Sequence, residues 1–283
     1  MRLDSHQHFW KYDPLHYGWI KPDWPIRRNF LPPDLQLLQQ GSFDGSIAVQ
    51  ARQTLEESRW LLALADESPL IKGVVGWVDL RSDRVEEPLS ALAGHPCFVG
   101  VRHIVQDEPD EQFMLRPDFL RGIGKLKQFK LTYDILIYPK QLPAAIALAR
   151  RFPEQPFVLD HLAKPLIRGG TLSPWRELIF ELAQSPNVFC KVSGLVTEAA
   201  WTNWKPADLK PYLDIAFEAF GENRVMYGSD WPVCLLAASY NRVFQVMEDY
   251  AQQLRVEGRA NFYGDNAANF YGVNVRLENS KPS

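Results

Sequence analysis

The chain has 283 residues, of which 46% are hydrophobic and 23% are charged, a balance that excludes a chain disordered throughout. Its 31 basic and 34 acidic residues give a formal net charge of −3 without any long run of lysine or arginine, so we expect neither a nucleic-acid partner nor an anionic membrane partner.

Eight short apolar segments recur along the chain and predict buried β-strands. Each is rich in valine, isoleucine, leucine or aromatic residues, as expected of strands that are covered on both faces. The strands are predicted at residues 1–5, 45–50, 71–78, 98–104, 130–137, 157–160, 188–192 and 225–228.

Helical patterns fill most of the intervals between these strands. Thr54 and Glu57 form a candidate capping box at the start of the first predicted helix. Residues 13–28 are rich in aromatic residues and proline, and they predict a long loop of the kind that shapes active sites. The helices are predicted at residues 55–66, 84–93, 117–126, 141–151, 174–184, 206–220 and 239–254.

The alternation of strand and helix predicts one α/β domain over residues 1–283, folded as a (β/α)8 TIM barrel. A doubly wound open sheet would alternate in the same way, but no glycine-rich phosphate-binding motif follows any predicted strand. In a barrel the carboxyl ends of all strands meet at one mouth, where catalytic residues lie.

The cysteines and the amino-terminal segment indicate the cellular compartment in which the protein is expected. Cys97, Cys190 and Cys234 are widely spaced, which predicts reduced thiols without a catalytic role rather than a disulfide framework. The segment MRLDSHQHFW lacks the apolar stretch of a secretory signal, and no run of about 18 apolar residues predicts a membrane span. We therefore expect a cytoplasmic protein.

The first strand carries the histidines of an H-x-H motif, His6 and His8. Side chains two positions apart in a strand face the same side, so both imidazoles are expected to face the barrel mouth. Neutral imidazole is a common ligand of divalent metal ions. The alternative is an ordinary pair of surface or core histidines.

Three further strands also end in polar side chains. The sixth ends in Asp160 and His161, the eighth leads to Asp230, and the fourth carries Arg102 and His103. An aspartate can bind a metal or act as a base, and an arginine can bind a carbonyl or carboxylate through its forked guanidinium. Hydrogen bonds to local backbone, a helix cap or a surface ion pair are the structural alternatives. Because the strand ends converge, the four signals together favour an active site.

The motifs DSHQHFW, GVRH, LDHLAKP, KVSGL and YGSDWP together resemble the amidohydrolase 2 family of metal-dependent hydrolases. Within that family they are most similar to the branch of sugar lactonases that includes L-fuconolactone and L-rhamnonolactone hydrolases. The resemblance spans residues 4–232. It implies an enzyme of carbohydrate metabolism, a carboxylic ester hydrolase that opens a small-molecule sugar lactone to the sugar acid.

The resemblance also implies catalytic roles for particular residues. His6 and His8 match the H-x-H of the first strand and His161 matches the histidine of the sixth strand. Asp230 matches the aspartate that activates the attacking water in the superfamily. We expect Asp230 to be the general base, and His6, His8, His161 and Arg102 to polarise the lactone carbonyl.

The sequence departs from many family members at the fourth and fifth strands. Arg102 and His103 stand where many members have a bridging lysine or a glutamate, and Tyr133 and Asp134 offer no histidine on the fifth strand. At most one divalent ion is therefore expected, with zinc favoured. The expected ligands are His6, His8 and Asp230. Some relatives hydrolyse lactones without a metal, so the resemblance leaves open whether the ion is required.

Substrate hydroxyls need polar and aromatic partners, and five residues at strand ends or in loops are predicted to supply them. These predicted substrate-binding residues are Trp24, Gln50, His103, Tyr133 and Trp231.

The expected assembly is a monomer or a homodimer. Two alternatives stay open: a metal-dependent non-oxidative decarboxylase of the same superfamily, and a sugar-binding protein without turnover. The presence of Asp230 argues against the second alternative, since a binder has no evident need for a base.

Overall fold

Eight parallel strands pair in chain order, each with the next, in the computed structural model, which describes residues 1–39 and 41–273. The last strand returns beside the first: the Asp230 N–H donates to the His6 carbonyl at 2.8 Å, and the His8 N–H donates to the Trp231 carbonyl at 2.7 Å. The predicted TIM barrel is confirmed. Its strands are β1 (Leu3–Gln7), β2 (Gly45–Val49), β3 (Ile71–Gly76), β4 (Phe98–Ile104), β5 (Thr132–Leu136), β6 (Phe157–Leu159), β7 (Val188–Val192) and β8 (Val225–Tyr227).

Helices connect successive strands and pack their apolar sides against the sheet. The outer hydrophobic core lies between these helices and the strands. The helices are α1 (Pro32–Gln39), α2 (Leu55–Glu67), α3 (Glu86–Ala93), α4 (Pro117–Leu126), α5 (Leu142–Arg151), α6 (Trp175–Ala183), α7 (Leu195–Glu198), α8 (Pro206–Phe220), α9 (Tyr240–Ala251), α10 (Val256–Ala260) and α11 (Asn266–Tyr271).

A second hydrophobic core fills the interior of the barrel. Branched side chains from several strands meet the last helix, α11, which brings Phe270 and Tyr271 into the same cluster. The chain just before α11 runs against the amino terminus, where Gly264 lies so close to the Met1 carbonyl that any Cβ would clash. The helix therefore covers the barrel at the amino-terminal ends of the strands and leaves the opposite mouth for function. The strand residues of this core are Leu3, Ile47, Val49, Val75, Val99, Val158 and Met226.

Most predicted elements are present, with differences at their ends. β1 lies two residues later than predicted, since His6 and Gln7 belong to the strand despite their polarity. Thr54 caps α2 by accepting a hydrogen bond from the Glu57 N–H at 3.2 Å. The Glu57 carboxylate does not complete a capping box, because it accepts instead from the Ala51 and Arg52 N–H groups. Helices α1, α7, α10 and α11 were not predicted from the sequence patterns.

Three further expectations concern the cysteine thiols, a membrane-spanning segment and the number of domains. Cys190 and Cys234 are buried thiols, and burial raises the pKa of both. In the described part of the chain, no helix combines the length and the hydrophobicity that crossing a bilayer requires. The prediction of one domain over residues 1–283 includes residues 40 and 274–283, which lie outside the described residues.

Candidate active site

A carboxylate and three imidazoles meet at the barrel mouth. One oxygen of Asp230, Oδ1, lies 3.4 Å from His8 Nε2 and 3.8 Å from His6 Nε2. The same oxygen lies 3.9 Å from His161 Nε2, and all four side chains are almost wholly buried. Strands β1, β6 and β8 thus bring together residues that are far apart in the sequence, as the barrel interpretation predicted.

In His8 and His161, the hydrogen-bond partner of Nδ1 determines whether Nε2 carries a proton or a lone pair. His8 Nδ1 lies 2.8 Å from the Val49 carbonyl oxygen, which can only accept a hydrogen bond, so Nδ1 carries the proton and Nε2 carries a lone pair. His161 Nδ1 lies 2.8 Å from the Ser193 hydroxyl. When Ser193 accepts from that nitrogen, His161 likewise turns an unprotonated Nε2 toward Asp230.

The charge of this site is concentrated on Asp230. Burial alone would raise the pKa of its carboxyl, but His161 and the other histidines around it hold that pKa well below its usual range. Burial lowers the pKa of His161 to about 4, although Asp230 and Asp160 oppose the shift. Near neutral pH the site therefore holds an ionised carboxylate facing a neutral imidazole.

The donor set suits a single divalent ion. Four-coordinate zinc binds imidazole nitrogen and carboxylate oxygen at about 2.0–2.2 Å, which places tetrahedral ligand atoms roughly 3.3 Å apart. His6 Nε2 and His8 Nε2 are 3.3 Å apart, and His8 Nε2 is 3.4 Å from Asp230 Oδ1. His161 is a further candidate ligand, since one ligand atom each from His6, His161 and Asp230 all lie within 4.8 Å of one another.

Beneath the histidines lies a buried network of charges. The Lys191 ammonium is 2.5 Å from Asp134 Oδ2, 3.1 Å from Asp160 Oδ1 and 3.2 Å from His6 Nδ1. The Tyr271 hydroxyl donates to the same Asp134 oxygen at 2.9 Å. Two cations, Lys191 and Arg102, therefore neutralise two carboxylates, and Asp230 is left with histidines as its ion-pair partners among the described residues.

Arg102 is held rigidly at the edge of this network. Its Nη1 donates to Asp160 Oδ2 at 3.0 Å, and its Nη2 donates to both the carbonyl oxygen and the side-chain oxygen of Gln50. Its Nη1 also lies 3.4 Å from His6 Nε2, so a bound metal ion would sit close to a guanidinium. The Nε–H of Arg102 is buried and has no acceptor among the described residues.

The backbone at two strand ends is strained. Asp230 has a φ of 55°, and residues His161 to Lys164 form a turn with φ values of 55°, 53°, 58° and 52°. Left-handed backbone costs a non-glycine residue about 1–2 kcal/mol, and runs of it are rare. Burial of Leu162 and Ala163, with the Trp175 indole N–H donating to the Leu162 carbonyl at 2.7 Å, holds the turn in place. Such strain is typical of functional sites.

Two glycines leave space for the His161, Asp230 and His6 side chains. Gly194 has a φ of +64°, and a Cβ there would lie 2.6 Å from His161 Nδ1 and 3.0 Å from Asp230 Oδ2. A Cβ at Gly228 would lie 2.6 Å from the Cβ of His6. Any larger residue at either position would displace a histidine of the site.

A cavity of about 410 Å³ opens directly above this cluster. His8, Arg102, His161 and Asp230 form part of its wall. Three tryptophans surround the same space, with ring centres of Trp24 and Trp201 5.6 Å apart and those of Trp19 and Trp24 6.4 Å apart. Its other lining residues are Ala51, Ile104, Gln106, Asp107, Leu136, Tyr138, Lys164, Thr197, Glu198, Val233 and Leu236.

Of the five predicted substrate-binding residues, Trp24 lines the cavity and the other four are placed elsewhere. Gln50 is buried against Arg102 and positions that side chain. His103 pairs with Glu108 at 2.7 Å. Tyr133 and Trp231 are buried aromatic residues, packed respectively against Phe119 and Phe157 and against Phe9 and Phe30. None of these four is among the described residues that line the cavity, and each side chain is buried in the packing.

Several residues of the site were not identified from the sequence. The sequence patterns give Asp160 no role of its own and do not indicate Asp134 or Tyr271 as site residues. Lys191 and Ser193 lie in the motif KVSGL, but the motif assigns neither of them a role. The presence of Lys191 in an otherwise apolar strand was a usable signal, because a lysine is almost never fully buried unless it is paired.

A parallel barrel whose mouth gathers an ionised carboxylate, neutral imidazoles and an immobilised arginine around a cavity defines the class: a TIM-barrel hydrolase. The chain matches the Amidohydrolase family over residues 3–273 and belongs to that family. It is 41% identical to an L-fucono-1,5-lactonase of Burkholderia multivorans and 36% identical to one of Burkholderia ambifaria, in each case over 96% of both chains.

One solved crystal structure is similar to this protein in both fold and sequence. The crystal structure of an amidohydrolase from Burkholderia multivorans with bound zinc superimposes with a TM-score of 0.92 at 41% identity. The match covers 96% of this chain and 99% of that one. The family resemblance inferred from the motifs is thereby confirmed.

Proposed function

We propose that this protein hydrolyses a sugar lactone, an aldono-1,5-lactone such as L-fucono-1,5-lactone, to the open-chain sugar acid. The observation that carries the proposal is the position of Asp230, an ionised carboxylate at the floor of a cavity and within 4 Å of three imidazoles. The relatives named as L-fucono-1,5-lactonases support the choice of substrate.

Asp230 acts as the general base in this proposal. Its carboxylate takes a proton from a water molecule while the water oxygen forms a bond to the lactone carbonyl carbon. When the tetrahedral intermediate collapses, the bond to the ring oxygen breaks and protonated Asp230 gives its proton to the leaving alkoxide. A carboxylate that stays ionised down to low pH is available as a base over the whole neutral range.

The developing oxyanion needs fixed donors, and Arg102 offers them. Its position is set by Asp160 and Gln50 before substrate arrives, so no reorganisation is needed during the reaction. Arg102 also forms part of the cavity wall, where the substrate carbonyl would lie. A lactone is an activated ester and needs less polarisation than an amide, and in this proposal Arg102 takes the electrophilic role.

His6, His8, Asp230 and His161 would hold a divalent ion if one binds. Zinc there would supply Lewis-acid polarisation of the carbonyl or of the water. Its position beside the Arg102 guanidinium, which lies 3.4 Å from His6 Nε2, places two positive groups close together and weakens such binding. The metal is therefore an accessory of the site in this proposal, and proton transfer rests on Asp230.

The cavity matches a small polyhydroxylated ring. Its volume of about 410 Å³ lies near the lower end of the range for small-molecule sites. Aromatic faces from Trp24 and Trp201 offer surfaces for the C–H groups of a sugar ring, while Gln106, Asp107 and Thr197 offer polar partners for its hydroxyls.

The test is an indicator assay of acid release from a panel of aldono-1,5-lactones and aldono-1,4-lactones, with the uncatalysed rate subtracted. We expect turnover of at least one 1,5-lactone. Release of carbon dioxide from dihydroxybenzoates is measured in parallel. Turnover of the aromatic acids without any lactone turnover would replace this proposal by the decarboxylase alternative, and binding of sugar acids without turnover would indicate a sugar-binding protein.

A further inference from the structure

The left-handed turn after β6 places two side chains in the cavity. The Lys164 N–H donates to the His161 carbonyl at 2.7 Å, so the four residues close a turn with an i to i+3 hydrogen bond. Side chains at i and i+3 of such a turn lie one above the other. His161 and Lys164 therefore both line the cavity, one beside Asp230 and the other farther along the wall.

Among the described residues, the Lys164 ammonium has neighbours that position it but no direct hydrogen bond. Its nearest ion-pair partner, Glu198 Oε1, is 3.8 Å from Nζ, longer than a direct hydrogen bond. Nζ also lies 5.6 Å from the centre of the Tyr138 ring, within cation–π range. The lysine side chain is 19% exposed, and Lys164 is one of the residues that line the cavity.

Glu198 comes from a separate element. It is the last residue of the short helix α7, which follows β7 directly, and its side chain is 21% exposed. A donor that cannot accept and an acceptor that cannot donate thus stand side by side on the wall of the same cavity. Neighbouring hydroxyl groups on a ring match this arrangement, because one can accept from the ammonium while the next donates to the carboxylate.

We infer that Lys164 and Glu198 form a specificity pair that binds two neighbouring hydroxyls of the sugar lactone. The inference rests on the proposed function and goes beyond it by assigning recognition of the sugar to residues that take no part in proton transfer. The left-handed turn would then position both side chains, because the same four residues that place His161 beside Asp230 also place Lys164 on the cavity wall.

The test compares two substrates in Lys164→Met and Glu198→Gln. Each variant loses a charged hydrogen bond, which corresponds to a roughly 10- to 100-fold lower kcat/KM for a polyhydroxylated 1,5-lactone. δ-Valerolactone has the same ring without hydroxyls, and its kcat/KM is expected to stay at the wild-type value. The matched control is Lys210→Met, which removes an exposed lysine paired with Asp214 on α8 and should change neither substrate.

Calorimetric binding of the sugar acid product supplies a readout that does not depend on turnover. Wild type is expected to bind it at least 10-fold more tightly than either variant, with Lys210→Met unchanged. Equal losses on both lactones, or unchanged discrimination, would overturn the specificity pair while leaving lactone hydrolysis in place. Absence of turnover of every lactone by the wild-type protein would overturn the proposed function and the pair with it.

Discussion

The Lys191 ammonium lies 2.5 Å from a carboxylate oxygen of Asp134 inside the barrel, and both side chains are fully buried. A buried ion pair adds little net stability when intact, because desolvation offsets the attraction. Removing one partner is different, since it leaves a charge in a medium that cannot solvate it. Lys191 also contacts Asp160, so removing the ammonium would take this cation away from two buried carboxylates, Asp134 and Asp160.

Lys191→Met should therefore lower the free energy of unfolding by about 3–5 kcal/mol, measured by urea denaturation. Lys210→Met is the matched control. It breaks an exposed ion pair with Asp214 at 2.7 Å and should cost less than about 1 kcal/mol. Equal stability of the two variants would mean that the buried lysine does not neutralise the network.

Gly194→Ala should impair catalysis more than folding, and Gly170→Ala is its control. The two glycines have φ values of +64° and +63°, so alanine pays a similar backbone penalty of about 1–2 kcal/mol at each. No atom of the described residues lies within 4 Å of a Cβ at Gly170, whereas a Cβ at Gly194 lies 2.6 Å from His161 Nδ1. A displacement near 1 Å costs roughly 100-fold in rate, so kcat should fall by about that factor in Gly194→Ala alone. Similar activity in both variants would show that the His161 position is not critical.

The fold was predictable from the sequence because strand and helix patterns alternate so regularly. The residues that end β1, β4, β6 and β8 were also predictable, since polar side chains at the ends of apolar strands stand out. His161 is an example: it follows a short apolar run and precedes a proline, and the structure places it beside Asp230.

The remainder of the site depends on tertiary contacts that no local pattern encodes. Gln50 and Tyr133 occupy strand positions that suggested substrate contact, but a change of one residue in strand register decides whether a side chain faces the mouth or the packing. Lys164 and Glu198 belong to different elements, and their proximity follows from a left-handed turn that sequence propensity disfavours. The contact between Tyr271 and Asp134 depends on a carboxy-terminal helix that covers the barrel.

Glu57 should make stability depend on pH. Burial raises the pKa of its carboxyl from 4.5 to about 7, although hydrogen bonds from the Arg52 and Ala51 backbone oppose the shift. Because the folded-state pKa is above the unfolded one, the stabilising contribution is complete below pH 4.5 and is lost as pH rises through 7. The loss is about 3 kcal/mol at most.

Urea denaturation at pH 5 and pH 8 checks this dependence. Glu57→Gln keeps the shape of the side chain and cannot ionise, so its stability should fall less between the two pH values than that of the wild type. Glu56→Gln, one residue earlier and exposed, should follow the wild type. Parallel behaviour of all three proteins would show that Glu57 titrates in its ordinary range.

Zinc should bind weakly and with at most one ion per chain. The Arg102 guanidinium lies 3.4 Å from His6 Nε2 and repels a nearby cation. Chelator competition should therefore strip the ion readily, and Arg102→Met should bind zinc more tightly while His8→Asn binds it more weakly. Two tightly held ions per chain by elemental analysis, or weaker binding in Arg102→Met, would contradict this account.

Asp230→Asn should abolish most of the activity while leaving the fold intact. Asparagine has nearly the same shape, but it cannot accept a proton from water. General-base catalysis contributes roughly 10²–10⁴-fold, so kcat should fall by that factor, equivalent to about 3–5 kcal/mol of barrier. The wild-type pH profile provides an independent check. The histidines around Asp230 keep its pKa well below the usual range, and burial lowers the pKa of His161 to about 4. With Asp230 as the base, turnover should therefore be level between pH 5 and 8. A folded Asp230→Asn protein with near-normal turnover would remove Asp230 from the mechanism and leave His161 as the base, with an acid limb below pH 4 because loss of the Asp230 charge lowers the His161 pKa further.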